Sequence, residues 1–147
     1  MVAPVSGRVL PLSEVPDPVF SAALVGPGAA IDPPRGTVEA VAPITGTVVK
    51  LHPHAYVVAS ADGAAVLVHL GIDTVQLGGE GFTLHVRDGE AVTAGQPMVS
   101  FDASVIEAGG RSPMCPIIAL DATADQLDDV RDSGYIGGNE ALFTLAR

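Results

Sequence analysis

Four histidines, at positions 52, 54, 69 and 85 of this 147-residue chain, are its best candidates for chemistry, and two of them flank a turn signal. In residues 54–75, HAYVVASADGAAVLVHLGIDTV, Asp62-Gly63 accepts the positive φ angles that a two-residue hairpin loop demands. Apolar, β-branched runs on either side, 56–59 and 66–70, read as the paired strands. With Asp62 and Gly63 as the loop, Tyr56 faces His69, and alternation puts His54 on the same face as Tyr56. His54 and His69 then become diagonal neighbours, with backbones roughly 7–8 Å apart and converging ring tips. The opposite face, Val57, Ala59, Val66, Val68 and Leu70, reads as core. Two imidazoles side by side permit nucleophilic catalysis by one ring with the other as donor, or a shared metal. The spacing does not choose between them.

The elements that must hold this pair are strands. Seventeen glycines and twelve prolines in so short a chain imply many turns and short strands, so an all-β fold is expected, one domain over residues 1–147. Val2-Ala3-Pro4-Val5-Ser6-Gly7-Arg8-Val9 recurs as Val41-Ala42-Pro43-Ile44-Thr45-Gly46-Thr47-Val48, each a strand entered through Ala-Pro and turned at glycine. A weaker echo aligns Ala94 with Gly137, so two related halves suggest an internal duplication. Residues 14–20 form a loop that could start one helical turn. Residues 103–108 and 124–133 are the helix candidates, the second with Thr123 or Asp125 as cap and Leu127 and Val130 at core spacing. Residues 71–81, GIDTVQLGGEG, must curve over the surface near His69, whereas His85 reads as a partly exposed strand residue without a partner.

Composition excludes several classes. The formal charge is −10 and Lys50 is the only lysine, which argues against nucleic-acid binding and for encounter with a basic partner. Cys115 is the sole cysteine, with no CxxC partner, and reads as a packing residue. The amino terminus lacks the charged and apolar regions of a signal peptide, and no apolar run approaches the roughly 18 residues of a spanning helix. A cytoplasmic protein without membrane insertion is expected.

Residues 54–82, together with EVPDPVFSAALVGPGAAI (14–31), VAPITGTV (41–48) and GEAVTAGQPMVSFD (89–102), resemble the glucose-type IIA component of the bacterial phosphoenolpyruvate-dependent sugar phosphotransferase system. The resemblance implies an antiparallel, barrel-like β-sandwich, the duplicated hybrid motif, with one or two short helices. It also implies a relay in which a phosphoryl group passes from the carrier HPr to His69, and from there to a cysteine of a IIB domain. His54 matches the assisting histidine. A neutral ring must present one nitrogen to the donor while the other is held as a hydrogen-bond donor, and Gly71 is the expected carbonyl because glycine lets the backbone curl toward the ring. No P-loop pattern occurs, so ATP is not the expected donor. Matching positions of the partner surface are Val19, Phe20, Leu24, Val25, Leu67 and Val75, with Leu67 on the His69 face. Asp73 either binds a basic partner residue or caps the Gly71 turn. Glucose or N-acetylglucosamine is the expected sugar class, regulatory protein partners are admitted, and a separate protein is expected over a permease fusion.

Two departures stand out. Where the family often has a threonine before the first histidine, this chain reads Lys50-Leu51-His52-Pro53-His54, which loses a hydroxyl and adds an imidazole. Pro27 replaces an acidic residue in a VGDG pattern. The main alternative is a zinc hydrolase on a related β scaffold using His52, His54 and His69, but the HxxxD and later HxH order of such peptidases is missing. A zinc ion shared by His54 and His69 with a partner's carboxylate is a weaker form of it. A lipoyl- or biotinyl-type carrier needs a lysine at a hairpin tip, and Lys50 lies mid-strand.

Overall fold

The computed structural model describes residues 1–145. Its strands are β1 (Gly7–Pro11), β2 (Gly28–Asp32), β3 (Thr37–Val41), β4 (Gly46–His52), β5 (Ala55–Ala59), β6 (Ala65–His69), β7 (Phe82–Leu84), β8 (Ala91–Val92), β9 (Pro97–Asp102), β10 (Cys115–Ala119), β11 (Leu127–Asp128), β12 (Tyr135–Ile136) and β13 (Thr144–Leu145). Two short helices join them, α1 (Pro18–Ser21) and α2 (Ala103–Ala108). An eight-stranded sheet runs in the order β12-β1-β2-β10-β6-β5-β4-β8, accompanied by a three-stranded sheet β3-β9-β7 and the pair β11-β13. Every described pairing is antiparallel, so the expected all-β fold with short helices is observed.

The sequence repeat is a structural one. Val2 N–H donates to the Pro43 carbonyl at 2.9 Å, and Val41 N–H donates to the Pro4 carbonyl at 2.8 Å, so the two Ala-Pro segments bond each other reciprocally. Each then meets a matching turn. Ala94 N–H donates to Thr45 Oγ1 and Gly138 N–H donates to Ser6 Oγ. Gly95 N–H donates to the Ala42 carbonyl as Asn139 N–H does to that of Ala3. These bonds equate Ala94 with Gly138, one residue beyond the alignment read from the sequence. The reason is backbone shape: Gly95 and Asn139 share the left-handed conformation, at φ +91° and +71°, and Asn tolerates it as glycine does.

The interior between the sheets is filled by Val48, Tyr56, Val66, Met98, Ile117 and Phe143, all essentially without exposure. A second cluster of Leu12, Val15, Phe20, Ala30, Ile72 and Ile118 lies on the outer face of the large sheet. Cys115 is buried as expected.

Three local expectations are corrected. The hairpin loop has three residues, because Ser60 N–H bonds the Ala64 carbonyl and Gly63, at φ +93°, donates back to the Ser60 carbonyl. The Asp62 carboxylate accepts from the Ser60 hydroxyl and from Ala64 N–H, which holds the wider loop. Ala55 therefore faces His69, and Tyr56 faces Val68. That one-residue slip turns β5 over, as the period of two demands: Tyr56 and Val58 point inward with Val66, Val68 and Leu70, while Val57 and Ala59 lie on the other face. The Tyr56 hydroxyl donates to the end of β3, at the Val41 carbonyl, at 2.7 Å.

The second correction concerns 124–133, where only Ala124–Gln126 make a helical turn, of 3-10 type, capped by Thr123. Leu127 instead pairs with Leu145, and Asp129 turns left-handed at φ +53°, which stops a helix. The third is His85, which follows β7 and bonds Ser100 Oγ through Nε2 at 2.7 Å. Residues 103–108 do form a helix, with the Asp102 carboxylate accepting from Ser104 N–H. Proline at the first position and Asp17 as cap shape α1.

Close strand approach in each repeat requires glycine. A Cβ on Gly46 would lie 2.1 Å from the Ala59 carbonyl oxygen, and one on Gly7 would lie 2.3 Å from that of Asp32. Gly46→Ala should accordingly cost about 1–3 kcal/mol through forced strand separation, read as a lower urea midpoint. An unchanged midpoint would show that the strands part without strain.

Candidate functional site

The site forms where β4, β5 and β6 end together. Chain reversal through Pro53 and His54 links β4 to β5, and Leu70 N–H, just past β6, donates to the His54 carbonyl at 2.7 Å. That bond brings the two histidine side chains to one place despite the slipped register, because His54 lies in the turn and is not bound by strand alternation. Their ring centroids are 5.3 Å apart in a T-shaped arrangement. His52, exposed at the end of β4, stacks on His54 at 5.6 Å, and so stands beside the pair.

His69 Nδ1 lies 2.5 Å from the Gly71 carbonyl oxygen. A carbonyl only accepts, so Nδ1 carries the proton and Nε2 keeps its lone pair. Gly71 makes this reach at φ +83°, with no room for a Cβ: one would meet Thr74 Cγ2 at 2.7 Å. Burial pushes His69 below the usual histidine range, while the Gly71 carbonyl, Asp17 and Asp73 pull the other way. His54 is lowered to about 4 by burial and by His69 and His52. Both rings are therefore neutral at pH 7 and can serve as nucleophile and hydrogen-bond donor.

The residues around them divide by burial. Val19, Leu24 and Val75 are exposed by 45%, 73% and 61%. Val25 and Leu67 are partly buried against the second apolar cluster. Phe20 is 8% exposed and belongs to that cluster, so its expected place on the open surface is corrected. Its ring packs on His69, centroids 5.2 Å apart, and walls the imidazole in. Asp73 is exposed, at φ +59°, and makes no side-chain cap, which removes its capping alternative. Sequence reasoning missed the group that does hold the turn, the buried Thr74 hydroxyl, which donates to the Leu70 carbonyl at 2.8 Å. Its only signal was a Thr four residues after Leu70 in a glycine-containing turn.

Among the described residues no three His, Cys, Asp or Glu side chains are grouped to hold a metal ion. His52, His54 and His69 thus do not form the ligand set that a zinc hydrolase needs. Among the described residues no helix is long and apolar enough to cross a membrane.

Known proteins are similar to this chain. Residues 1–124 match the model of the family described as phosphoenolpyruvate-dependent sugar phosphotransferase system, EIIA 1. The chain is 42% identical over 134 residues to the PTS system glucose-specific EIIA component of Oceanobacillus iheyensis, covering 90% of this chain and 79% of that one. It is 45% identical over 122 residues to the mannose-specific EIIBCA component of Corynebacterium glutamicum, covering 83% of this chain and 18% of that one. With the β-glucoside-specific EIIBCA component of Bacillus subtilis the identity is 40% over 146 residues, 98% of this chain and 24% of that one. The chain thus spans a quarter or less of these two EIIBCA relatives. Among solved structures, glucose permease IIA from Mycoplasma capricolum superposes with a TM-score of 0.89 at 31% identity, over 97% of this chain and 92% of that one. The chain belongs to the EIIA 1 family of the phosphoenolpyruvate-dependent sugar phosphotransferase system.

Proposed function

We propose that this chain is a phosphocarrier, one domain over residues 1–147, that accepts a phosphoryl group on His69 Nε2 from phospho-HPr and delivers it to a cysteine of a IIB domain. The observation that carries the reading is the short contact between His69 Nδ1 and the Gly71 carbonyl beside the His54 ring. In the first step the Nε2 lone pair attacks phosphorus, the phosphorus–nitrogen bond to the carrier's histidine breaks, and that histidine leaves as imidazole. In the second, a IIB thiolate attacks phosphorus and His69 regains its lone pair. The proton stays on Nδ1, donated to the Gly71 carbonyl throughout, so the ring needs no proton rearrangement at the reacting atom. His54 donates to a phosphoryl oxygen, stabilising charge that is spread over those oxygens in transfer.

The work takes place on the cytoplasmic side, where a IIB domain receives the group for a sugar such as glucose or N-acetylglucosamine. Relatives in which EIIA is joined to EIIB and EIIC support that acceptor. Regulatory protein partners would use the same open face. Zinc is not required for transfer; the His54–His69 pair offers two nitrogens, and a metal there would need a carboxylate from a partner.

His69→Ala should abolish acid-labile labelling by phospho-HPr while leaving the fold intact; stoichiometric labelling of that variant would overturn the assignment. His54→Gln should still accept the group but pass it to IIB slowly, since a flexible amide holds a weaker donor against the phosphoryl oxygens than the imidazole does. Equal transfer rates would remove His54 from the mechanism.

The pH dependence follows from the lowered histidines. His54 binds its proton near 6.5 when unfolded and near 4 when folded, so the unfolded chain takes up more protons between those values. Its contribution to stability is complete above about pH 6.5 and is lost progressively as pH falls toward 4. Urea midpoints measured across this window should fall less steeply for His54→Gln than for the wild-type protein. Parallel curves would mean that His54 keeps its ordinary value.

The exposed apolar residues carry the docking prediction. Leu24→Ser should weaken binding of both HPr and IIB by about 1–3 kcal/mol by calorimetry, as for a central apolar anchor. Phe20→Ser should chiefly lower stability, because Phe20 is walled in. Unaltered affinity of Leu24→Ser for both partners would place the shared face elsewhere.

A further inference from the structure

Apart from the Tyr56 phenol and the Cys115 thiol, Thr74 is the one buried side chain among the described residues that carries a polar group. Its hydroxyl donates to the Leu70 carbonyl at 2.8 Å, and its γ-methyl fills the space beside Gly71. Three consecutive peptide planes are pinned around it. Leu70 N–H donates to the His54 carbonyl at 2.7 Å. The next plane has the Leu70 carbonyl on the Thr74 hydroxyl. The third has Ile72 N–H on the Ser112 carbonyl at 2.9 Å and the Gly71 carbonyl on His69 Nδ1. Among these partners the Thr74 hydroxyl is the only side-chain oxygen.

Removing that hydroxyl would strand a buried carbonyl, which is costly enough to drive the peptide toward another partner. Glycine at position 71 offers little resistance to such a rotation. The Gly71 carbonyl lies in the following plane, hinged to this one at Gly71, so a shift that changes φ at Gly71 would draw that carbonyl off the imidazole. His69 could then carry its proton on Nε2, where no lone pair remains for attack.

We propose that Thr74 is a positioning residue for phosphoryl transfer: its buried hydroxyl on the Leu70 carbonyl holds the Gly71 carbonyl against His69 Nδ1 and so keeps Nε2 free. The proposal rests on the phosphocarrier reading for its rate effect, but its effect on the His69 tautomer does not. The test therefore reads both. Nitrogen-15 NMR of the imidazoles is recorded for wild-type protein, Thr74→Ser and Thr74→Val at pH 7.5, with the rate of labelling by phospho-HPr measured on the same samples.

Wild type and Thr74→Ser should both show His69 protonated at Nδ1 and label at similar rates. Thr74→Val should show a mixed or reversed tautomer and label about 10–100-fold more slowly, the range found when a residue that orients a reactive histidine is lost. Should Thr74→Val fail to fold, Thr74→Ala, which leaves room for water, takes its place with the same expectation. An Nδ1-protonated His69 and a wild-type rate in the hydroxyl-free variant would overturn the proposal, as would a Thr74→Ser variant impaired like Thr74→Val. Absence of labelling in wild type would instead count against the phosphocarrier reading, while the tautomer comparison would still decide the role of Thr74.

Discussion

The bond between His69 Nδ1 and the Gly71 carbonyl is the constraint on which the site depends. An isolated imidazole has two nitrogens that compete for one proton, and a phosphocarrier needs that competition settled before its partner arrives. Settling it takes a carbonyl two residues along the same chain, which only a turn with positive φ can supply. The turn in turn needs a floor. Ser112, just before β10, holds the Ile72 amide, and Thr74 holds the turn's first carbonyl. His69 is thus fixed by the packing of β6 on β10 as much as by its neighbours in sequence.

Duplication supplies the scaffold and the second half supplies the chemistry. Reciprocal bonds between the two Ala-Pro segments set the halves face to face, and glycines at equivalent positions let each first strand approach its neighbour closely. The halves then diverge. β1 gives way at Leu12 to a 3-10 turn, whereas β4 runs on to His52 and reverses at Pro53 and His54. This longer strand carries the His54 imidazole to the end of β6. His52, stacked on His54, lowers the proton affinity of His54.

Much of this was legible in the sequence, and the exceptions share a cause. The repeats, the turn at Asp62-Gly63, the helix at 103–108 and the role expected of the Gly71 carbonyl depend on local backbone preference, which residue types report directly. The hairpin register did not follow, because the contacts of Ser60 and Ala64 with Asp62 widen the loop by one residue and reverse the face of β5. His54 still reached His69, since a turn residue is not bound by alternation. A helix at 124–133 was suggested by Leu127 and Val130, but pairing of Leu127 with Leu145 overrides that spacing. Phe20 was expected on the partner surface from the resemblance alone; its burial against Ile72 and Ile118 is a tertiary fact. Thr74 was hidden for the same reason.

The central claim is that one particular nitrogen carries the phosphoryl group. Phosphorus–nitrogen couplings in the uniformly nitrogen-15-labelled, phosphorylated wild-type protein test it most directly, since they identify both the ring and the atom. The account predicts a single phosphoryl group on Nε2 of His69, with the proton retained on Nδ1. A group on Nδ1 of His69, or on His54, would contradict it.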